Sequence, residues 1–331
     1  MEDVAKLAGV SRGTVSRALN GGVHVRPAAM AKVSEAVAAL GYSVNQAARN
    51  LASLRTGSIA FVISERQEHL FGDPNFGKLI RVFSKQLRAR GQHLIVTTAE
   101  DYDEEAFLGG YLASGHVDAA IFAQPHEGEA LLARLAGSRL PMVVLGRPLG
   151  FEEKVSWVGV DDEKAAFEAT NYLLRLGRAR VATITGPLAT SSGRERFVGY
   201  RRAVTEAPGG GYQPLTAQGD WSPRSGRMAA RRLLSHHPGF DGLFVASDLM
   251  ALGALGALAE ARRRVPDDVA VVGFDDSAAA TMAEPPLTTV HQPFERVAAE
   301  AVRIVNELIA SDDREPAHMV LPTKLVRRRS A

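Results

Sequence analysis

Short apolar segments alternate with amphipathic ones from Ser58 onward, and this alternation limits the possible folds more than any other feature of the sequence. Continuously apolar runs of this length are typical of strands buried on both faces of a parallel sheet, and the amphipathic runs between them predict covering helices. One doubly wound sheet seldom holds so many strands, so the sequence predicts an α/β region with two lobes, each built on a doubly wound parallel sheet. The candidate strands are Ser58–Ser64, His93–Thr98, Asp118–Ala123, Pro141–Gly146, Trp157–Asp161, Arg180–Gly186, Gly242–Ala246 and Val269–Asp275.

Breaks in this alternation predict where the chain passes from one lobe to the other. They fall near Val160–Asp162, Leu287–Gln292 and Val320–Pro322. The first lobe would then hold about residues 57–160 and 292–320, and the second about residues 161–291 and 321–331. We expect Val320–Val326 to form the last strand and the arginines after it to be a solvated end.

The first 41 residues have a different pattern, that of three short helices. Helical periodicity through Val4 and Ala8 breaks at Gly9 and resumes after Ser11. Glycine can adopt the left-handed backbone that a tight turn between helices requires, and a serine can cap the helix that follows. Residues 1–41 are therefore predicted to be an all-α helix-turn-helix domain.

The second of these helices has one apolar and one polar face. At about 100° per residue, Val15, Ala18 and Leu19 share a narrow face that would pack on the other helices. Arg12 and Arg17 on the polar face can each make paired hydrogen bonds to a guanine edge, whereas the hydroxyls there suit phosphates. Gly13 offers no side chain and would allow close approach. The polar face consists of Arg12, Gly13, Thr14, Ser16 and Arg17.

Charge and composition favour a nucleic-acid partner for this domain. Residues 1–55 hold seven Lys and Arg against three Asp and Glu, a net +4, so the rest of a chain with net charge +2 carries −2. The absence of cysteine excludes disulfides and thiolate chemistry. The start MEDVAKLAGV does not resemble a signal peptide, and no apolar stretch approaches bilayer length. We therefore expect a cytoplasmic protein without a membrane partner.

The segment Val4–Asn20 resembles the N-terminal signature of the LacI/GalR family of bacterial repressors, Val-Ala-x-x-Ala-Gly-Val-Ser-x-x-Thr-Val-Ser-Arg-x-Leu-Asn. The resemblance extends over the whole chain and implies a periplasmic-binding-protein-like α/β domain at residues 57–331 that binds an effector and forms a homodimer. A near-palindromic double-stranded operator follows from twofold symmetry. The DNA-contacting residues that the resemblance implies in this domain, together with the capping serine, are Ser11, Arg12, Gly13, Thr14, Ser16, Arg17, Asn20 and His24.

Residues 42–56 are predicted to be a linker, and they resemble the family's hinge helix. A run this short is not helical alone, but it can form a helix when DNA and a second copy supply packing. By the resemblance, Asn45 and Ala48 lie against DNA, and Leu51 enters the minor groove as an apolar wedge. The alternative is that Leu51 makes an ordinary contact between domains. The family usually has proline where this chain has Val44, which loosens the entry to that helix.

Facing α/β lobes create a cleft at the carboxyl ends of their strands, where ligands bind in such sheets. By the resemblance, Arg196, Trp221 and Asp275 line this cleft, with Ser247 beside them. Trp221 would stack on a pyranose ring, while Arg196 and Asp275 bind its hydroxyls. The alternative roles are local: Trp221 would pack in the core and Asp275 would cap the next helix.

The first lobe offers Phe71-Gly72-Asp73-Pro74-Asn75-Phe76, where the family often has Asn-Pro-Phe-Phe. Phe71, Asn75 or Phe76 would therefore reach the cleft, or else pack locally. This variant looks most like actinobacterial members of the family that respond to β-glucosides such as cellobiose. The effector is accordingly expected to be a mono- or disaccharide, with no cofactor and no metal.

Three other functions compete with that of a sugar-controlled repressor. The same regulator could answer to a nucleoside or a phosphorylated metabolite, which the sequence leaves open. A sugar-binding protein without DNA function would not need the first 55 residues. A hydrolase or kinase would need a nucleophile elbow or a phosphate loop, and neither G-x-S-x-G nor G-x-x-x-x-G-K-[ST] occurs. The expected mechanism is therefore linkage between two binding sites rather than catalysis.

Overall fold

The structure is a computed structural model, and it describes residues 1–19, 25–42, 55–64, 67–99, 102–207, 212–311 and 315–331. The chain divides into two compact units, Met1–Thr56 and Gly57–Ala331. No helix in the described ranges is long and apolar enough to cross a membrane.

The first unit contains helices α1 (Glu2–Ala8), α2 (Arg12–Leu19) and α3 (Pro27–Ala39). Gly9 ends α1 with a left-handed φ of 63°, which gives the sharp turn into α2. The backbone NH of Thr14 donates to the Ser11 hydroxyl at 3.2 Å, so Ser11 caps α2. The predicted helix-turn-helix is therefore confirmed. Its small core is formed by Val4, Ala8, Val15, Val33 and Ala36.

The second unit is built on two six-stranded sheets, which confirms the predicted two-lobed α/β fold. The first sheet has the order β11-β5-β4-β3-β1-β2, and all its strand pairs are parallel. The helices α4 to α7 and α13 accompany it and form with it the first lobe. Its strands are β1 (Ser58–Ile63), β2 (His93–Thr98), β3 (Ala119–Ala123), β4 (Met142–Leu145), β5 (Ser156–Val160) and β11 (His318–Leu321). Its helices are α4 (Gln67–Gly72), α5 (Pro74–Arg88), α6 (Tyr102–Ala113), α7 (Ala130–Ala136) and α13 (Phe294–Ala310).

The second sheet has the order β12-β10-β9-β8-β6-β7, and only the β10–β12 pair is antiparallel. With the helices α8 to α12 it forms the second lobe. Its strands are β6 (Val181–Thr185), β7 (Leu215–Gln218), β8 (Gly242–Val245), β9 (Ala270–Asp275), β10 (Thr288–His291) and β12 (Lys324–Val326). Its helices are α8 (Asp162–Arg175), α9 (Ser191–Thr205), α10 (Pro223–His236), α11 (Asp248–Glu260) and α12 (Ala278–Met282).

The chain passes from one sheet to the other three times: after β5, after β10 and after β11. The prediction of a single last strand over Val320–Val326 is therefore wrong. Pro322 and Thr323 separate two short strands that belong to different sheets. Proline has no NH to donate to a strand ladder, which explains the interruption.

The carboxyl-terminal segment is only in part the solvated end that the sequence predicted, since Arg327 and Arg329 are exposed but their neighbours are not. The buried Ser330 hydroxyl donates to the Val271 carbonyl at 2.6 Å and accepts from the backbone NH of Thr288 at 2.8 Å. Arg328 is half-buried and pairs with Asp276 at 2.5 Å. The end of the chain is therefore packed into the second lobe.

Candidate functional site

Helix α2 presents a polar surface with little internal pairing. Arg12 and Arg17 are exposed, while Thr14 and Ser16 are half-buried beside them. Arg12 lies 3.7 Å from Glu2, but both side chains are largely exposed, at 69% and 83%, so this ion pair is weak. The guanidinium groups can therefore turn toward a ligand at little cost.

The other predicted DNA-contacting residues differ in what the structure shows of them. Ser11 caps α2, and its hydroxyl lies 2.9 Å from that of Thr14. Gly13 is exposed, and a Cβ there would meet no atom closer than 3.8 Å. Five predicted DNA contacts lie outside the described residues: Asn20, His24, Asn45, Ala48 and Leu51.

A cavity of about 900 Å³, counted with its open mouth, lies between the two lobes of the second unit. It opens where strands of both sheets end at their carboxyl ends, as is usual for ligand sites in α/β sheets. No group of three or more His, Cys, Asp or Glu side chains in the described ranges is arranged to hold a metal ion. Polar and charged side chains lining the cavity include Asp73, Asn75, Asp162, Arg196, Ser247, Asp275 and Gln292.

Arg196 is the centre of a buried ionic network in this cavity. It lies in the second turn of α9, which begins at the Thr190 cap, and its exposed fraction is 4%. Its Nε donates to Asp162 Oδ1 at 2.7 Å and its Nη1 to the Ala246 carbonyl at 2.6 Å. Nη1 also lies 3.7 Å from Asp275 Oδ1. A buried cation held by so many acceptors has a fixed orientation.

The carboxylates of this network are buried. Asp275 ends β9 with a left-handed φ of 115° and accepts a hydrogen bond from Gln292 Nε2 at 2.7 Å. Burial raises the pKa of Asp275 well above its ordinary value, against the opposing charge of Arg196, and Asp248 and Asp73 raise it further. Burial likewise raises the pKa of Asp162, although Arg196 opposes it. The strained backbone at Asp275 is the kind of feature that marks a functional position.

Trp221 forms an aromatic wall of the same cavity. Its backbone also has a positive φ, 72°, and its ring packs so closely on Gly186 that a Cβ there would lie 2.1 Å from the indole. Its Nε1 is buried and has no hydrogen-bond partner among the described residues. An indole face with an unused donor suits a ligand that offers both an apolar face and an oxygen.

The first lobe supplies the opposite wall. Phe76 is buried and Asn75 is half-buried. Both line the cavity, which agrees with the alternative in which they reach the cleft. The backbone NH of Asn75 donates to Asp73 Oδ1 at 2.8 Å, so Asp73 caps α5 and faces the cavity. Phe71 is 84% exposed and lies in a separate groove beside Val96, so the structure does not bring it to the cavity.

The remaining predicted residue, Ser247, lines the cavity and caps α11 by accepting from the backbone NH of Met250 at 3.2 Å. Sequence reasoning missed Asp73, Asp162 and Gln292. A usable signal existed for two of them, because Asp162 and Gln292 follow β5 and β10 closely and so lie at carboxyl ends of strands.

Two ion pairs join the lobes at the rim of the cavity. Arg194 of α9 pairs with Glu127 of the first lobe, and the backbone NH of Glu127 donates to the Ala189 carbonyl at 2.8 Å. Arg147 of the first lobe lies 3.5 Å from Glu195 of the second. Burial, followed by the nearby charge of Asp162, raises the pKa of Glu195 to about 7. Both ion pairs therefore span the two lobes.

A helix-turn-helix in one unit and a two-lobed, cavity-bearing α/β fold in the other define a class of ligand-responsive DNA-binding proteins. Residues 1–45 match the family model of bacterial regulatory proteins of the lacI family, and residues 170–331 match that of the periplasmic binding protein-like domain. The chain is 42% identical over 331 residues to the HTH-type transcriptional regulator CelR of Thermobifida fusca, covering 100% of this chain and 97% of that protein. The chain belongs to the LacI family of transcriptional regulators.

Solved structures agree with this assignment. The structure of a CelR–cellobiose complex has a TM-score of 0.80 and 42% identity, and it covers 100% of this chain and 99% of its own. The lac repressor dimer bound to operator and an anti-inducer has a TM-score of 0.87 and 28% identity, covering 99% of this chain and 97% of its own. The predicted family, fold class and DNA-binding regulatory function are confirmed, and the named relatives are transcriptional regulators.

Proposed function

We propose that this protein is a repressor of carbohydrate uptake or catabolism genes whose operator affinity is set by a small sugar, cellobiose or another β-glucoside. The observation that carries the proposal is the cavity that joins Trp221 to the buried Arg196–Asp275 pair. The cellobiose complex of a relative with 42% identity supports the same class of effector. Such a regulator acts on chromosomal DNA, and we place its action in the cytoplasm.

The cavity chemistry suits a pyranose. Sugar rings present an apolar face of C–H groups, which packs on an indole, and a rim of hydroxyls that need fixed donors and acceptors. Trp221 and Phe76 supply the apolar walls, and Arg196, Asp275 and Gln292 supply the fixed polar groups. The proposed effector residues are Asn75, Phe76, Arg196, Trp221, Ser247 and Asp275.

Control of DNA binding would follow from linkage. A ligand that contacts both walls stabilises one arrangement of the lobes, because it binds that arrangement more tightly than the other. We propose that residues 42–56 form the hinge that transmits the change in lobe arrangement to the DNA-binding domain. Asn45, Ala48 and Leu51 would contact the DNA. A coupling free energy of about 1–3 kcal/mol would change operator affinity about 5- to 150-fold. Operator reading is assigned to α2, with Arg12 and Arg17 at base edges in each half-site of a homodimer.

The test is titration of the full chain onto a near-palindromic operator probe by fluorescence anisotropy, with and without cellobiose. We expect the sugar to shift operator affinity at least tenfold. Trp221→Leu should abolish that shift and leave sugar-free DNA binding in place.

The matched control is Trp157→Leu. Trp157 is the other tryptophan of the chain, equally buried in the second unit, and it stacks on His318 at 5.3 Å instead of lining the cavity. This variant should keep the sugar response. If no disaccharide changes the operator affinity, a sugar is not the effector. Nucleosides and phosphorylated metabolites would then be the next candidate effectors to test.

A further inference from the structure

The described residues that line the cavity include more carboxyl groups than cationic groups. Three of them are carboxylates, Asp73, Asp162 and Asp275, and Arg196 is the single Lys or Arg among them. Asp73 reaches the cavity from the first lobe, and the other two from the second. An incoming ligand therefore meets acidic groups on both sides.

The guanidinium of Arg196, the single Lys or Arg in the described lining, already donates hydrogen bonds to protein acceptors. Arg196 donates to Asp162 and to the Ala246 carbonyl, and it faces Asp275. The plane of its guanidinium also packs on Phe274, with 3.6 Å between Cζ and the ring centroid. To pair with a phosphate, Arg196 would have to leave buried carboxylates unpaired, which is costly.

Helix N-termini are the remaining features that could attract an anion. The α5 terminus is occupied by its own carboxylate, since Asp73 accepts the Asn75 NH at 2.8 Å. The α9 terminus, which brings Ser191 and Ser192 to the cavity, is capped by Thr190, whose hydroxyl accepts the Gly193 NH at 3.2 Å. Both ends are thus closed by side chains of the chain itself, as are those of α8, capped by Asp161, and α11, capped by Ser247. Helix α13, which begins at Phe294 in the cavity wall, has no side-chain cap but carries Glu295 in its first turn.

Resting on the proposed function, we infer that the cavity discriminates by charge: it accepts a neutral sugar and rejects the phosphorylated or carboxylated form of the same sugar, with Asp73 as the specificity-determining residue of the first lobe. A phosphate group carries about −1.5 to −2 charges at pH 7. In the cavity its repulsion by the carboxylate of Asp73, the half-buried one of the three, is screened less than in bulk water. The regulator would therefore sense a sugar before any kinase has acted on it.

Calorimetric titration of the full chain tests this inference with three probes: cellobiose, cellobiose phosphorylated at a primary hydroxyl of either ring, and cellobiose oxidised to a uronate at the same carbon. We expect both anionic probes to bind at least tenfold more weakly than cellobiose. Asp73→Asn should narrow that ratio at least threefold, because asparagine is as good a helix cap as aspartate but carries no charge. The readout is the ratio of affinities, which a purely structural role of Asp73 would not change.

The matched control is Asp103→Asn, which removes an exposed carboxylate from the first turn of α6, outside the cavity. This variant should leave the affinity ratio at its original value. Anionic probes that bind as tightly as cellobiose, or a ratio that Asp73→Asn does not change, would overturn the inference. If no neutral sugar binds while the operator is still bound, the proposed sugar effector fails, and the inference fails with it.

Discussion

Arg12 and Arg196 carry the same side chain in opposite surroundings. Arg12 lies on an exposed helix face with one weak ion pair, whereas Arg196 is buried between two carboxylates and a backbone carbonyl. An exposed arginine is held by little in the free protein, so its removal should show only when a partner is bound. A buried arginine also neutralises groups that the fold itself has buried, so its removal should affect folding as well as binding.

The largest expected effect follows from replacing Arg196 with methionine. The change leaves Asp162 and Asp275 buried without their cation, and loss of one partner of a buried pair costs about 3–5 kcal/mol of unfolding free energy. Sugar binding should be lost as well. Urea unfolding followed by tryptophan fluorescence measures the effect, and it reports on the second unit alone because both tryptophans, Trp157 and Trp221, lie there.

Arg194→Met is the matched control for this experiment. Arg194 precedes Arg196 by two residues on α9, but its ion pair with Glu127 is exposed to solvent. Exposed pairs contribute about 0–1 kcal/mol. Equal losses of stability in the two variants would break the contrast between buried and exposed arginines.

The next effect concerns Arg17, for which the opposite pattern is expected. Arg17→Ala should reduce operator affinity by about 1–3 kcal/mol, since a paired contact to a guanine edge is lost. The unfolding free energy should change by no more than about 0.5 kcal/mol, as is usual for exposed positions. Anisotropy titrations with operator and with a scrambled duplex measure the ratio of specific to non-specific affinity.

Lys32→Ala provides the control, because it removes the same charge from an exposed position of α3. It should weaken both duplexes alike and leave their ratio unchanged, as expected for general phosphate attraction. A ratio that Arg17→Ala also leaves unchanged would contradict the assignment of base reading to Arg17.

The same contrast explains how far the sequence could predict this molecule. The helix-turn-helix depends on a local pattern, so the periodicity through Val4 and Ala8, the break at Gly9 and the cap at Ser11 predicted it. Most strands were predicted because each is a continuous apolar run. The short strands β7 and β10 were missed, since Leu215–Gln218 and Thr288–His291 mix polar with apolar residues.

The cavity was harder to predict because its residues come from distant parts of the chain. Strand ends pointed to Arg196, Trp221 and Asp275, and their roles as effector contacts stay predictions. The pairing of Arg196 with Asp162, 34 residues away, depends on how two helices pack, which no local pattern encodes. The positive φ of Trp221 is likewise imposed by tertiary structure, because tryptophan is not a residue type that a local rule would place there.

The smallest expected effect concerns Glu195, whose burial is intermediate between the two arginines. Its pKa of about 7 in the folded protein lies above the ordinary value of 4.5, chiefly because of burial and despite Arg147. Between about pH 4.5 and pH 7, Glu195 is therefore protonated in the folded state and ionised in the unfolded state. Stability from this group is fully present below pH 4.5 and is lost as the pH rises through 7.

Glu195→Gln should consequently flatten the pH dependence of the thermal midpoint. Between pH 5 and pH 7.5 we expect the fall in midpoint to be smaller in the variant by about 2 °C, the size that about 1 kcal/mol produces in a unit this large. This is less than the full pKa difference implies, because the Glu195 side chain is still 19% exposed and its charge is partly screened by solvent. Other buried carboxyls with raised pKa, such as Asp248 at about 6, remain in both proteins and cancel in the comparison. Glu127→Gln is the control, because the pKa of Glu127 is lowered by its hydrogen bond to Arg194, so its titration lies below this range. If the thermal midpoint of Glu195→Gln depends on pH as steeply as that of the wild type, Glu195 ionises like an exposed carboxylate. The rim of the cavity would then resemble the exposed face of α2 and not the buried network around Arg196.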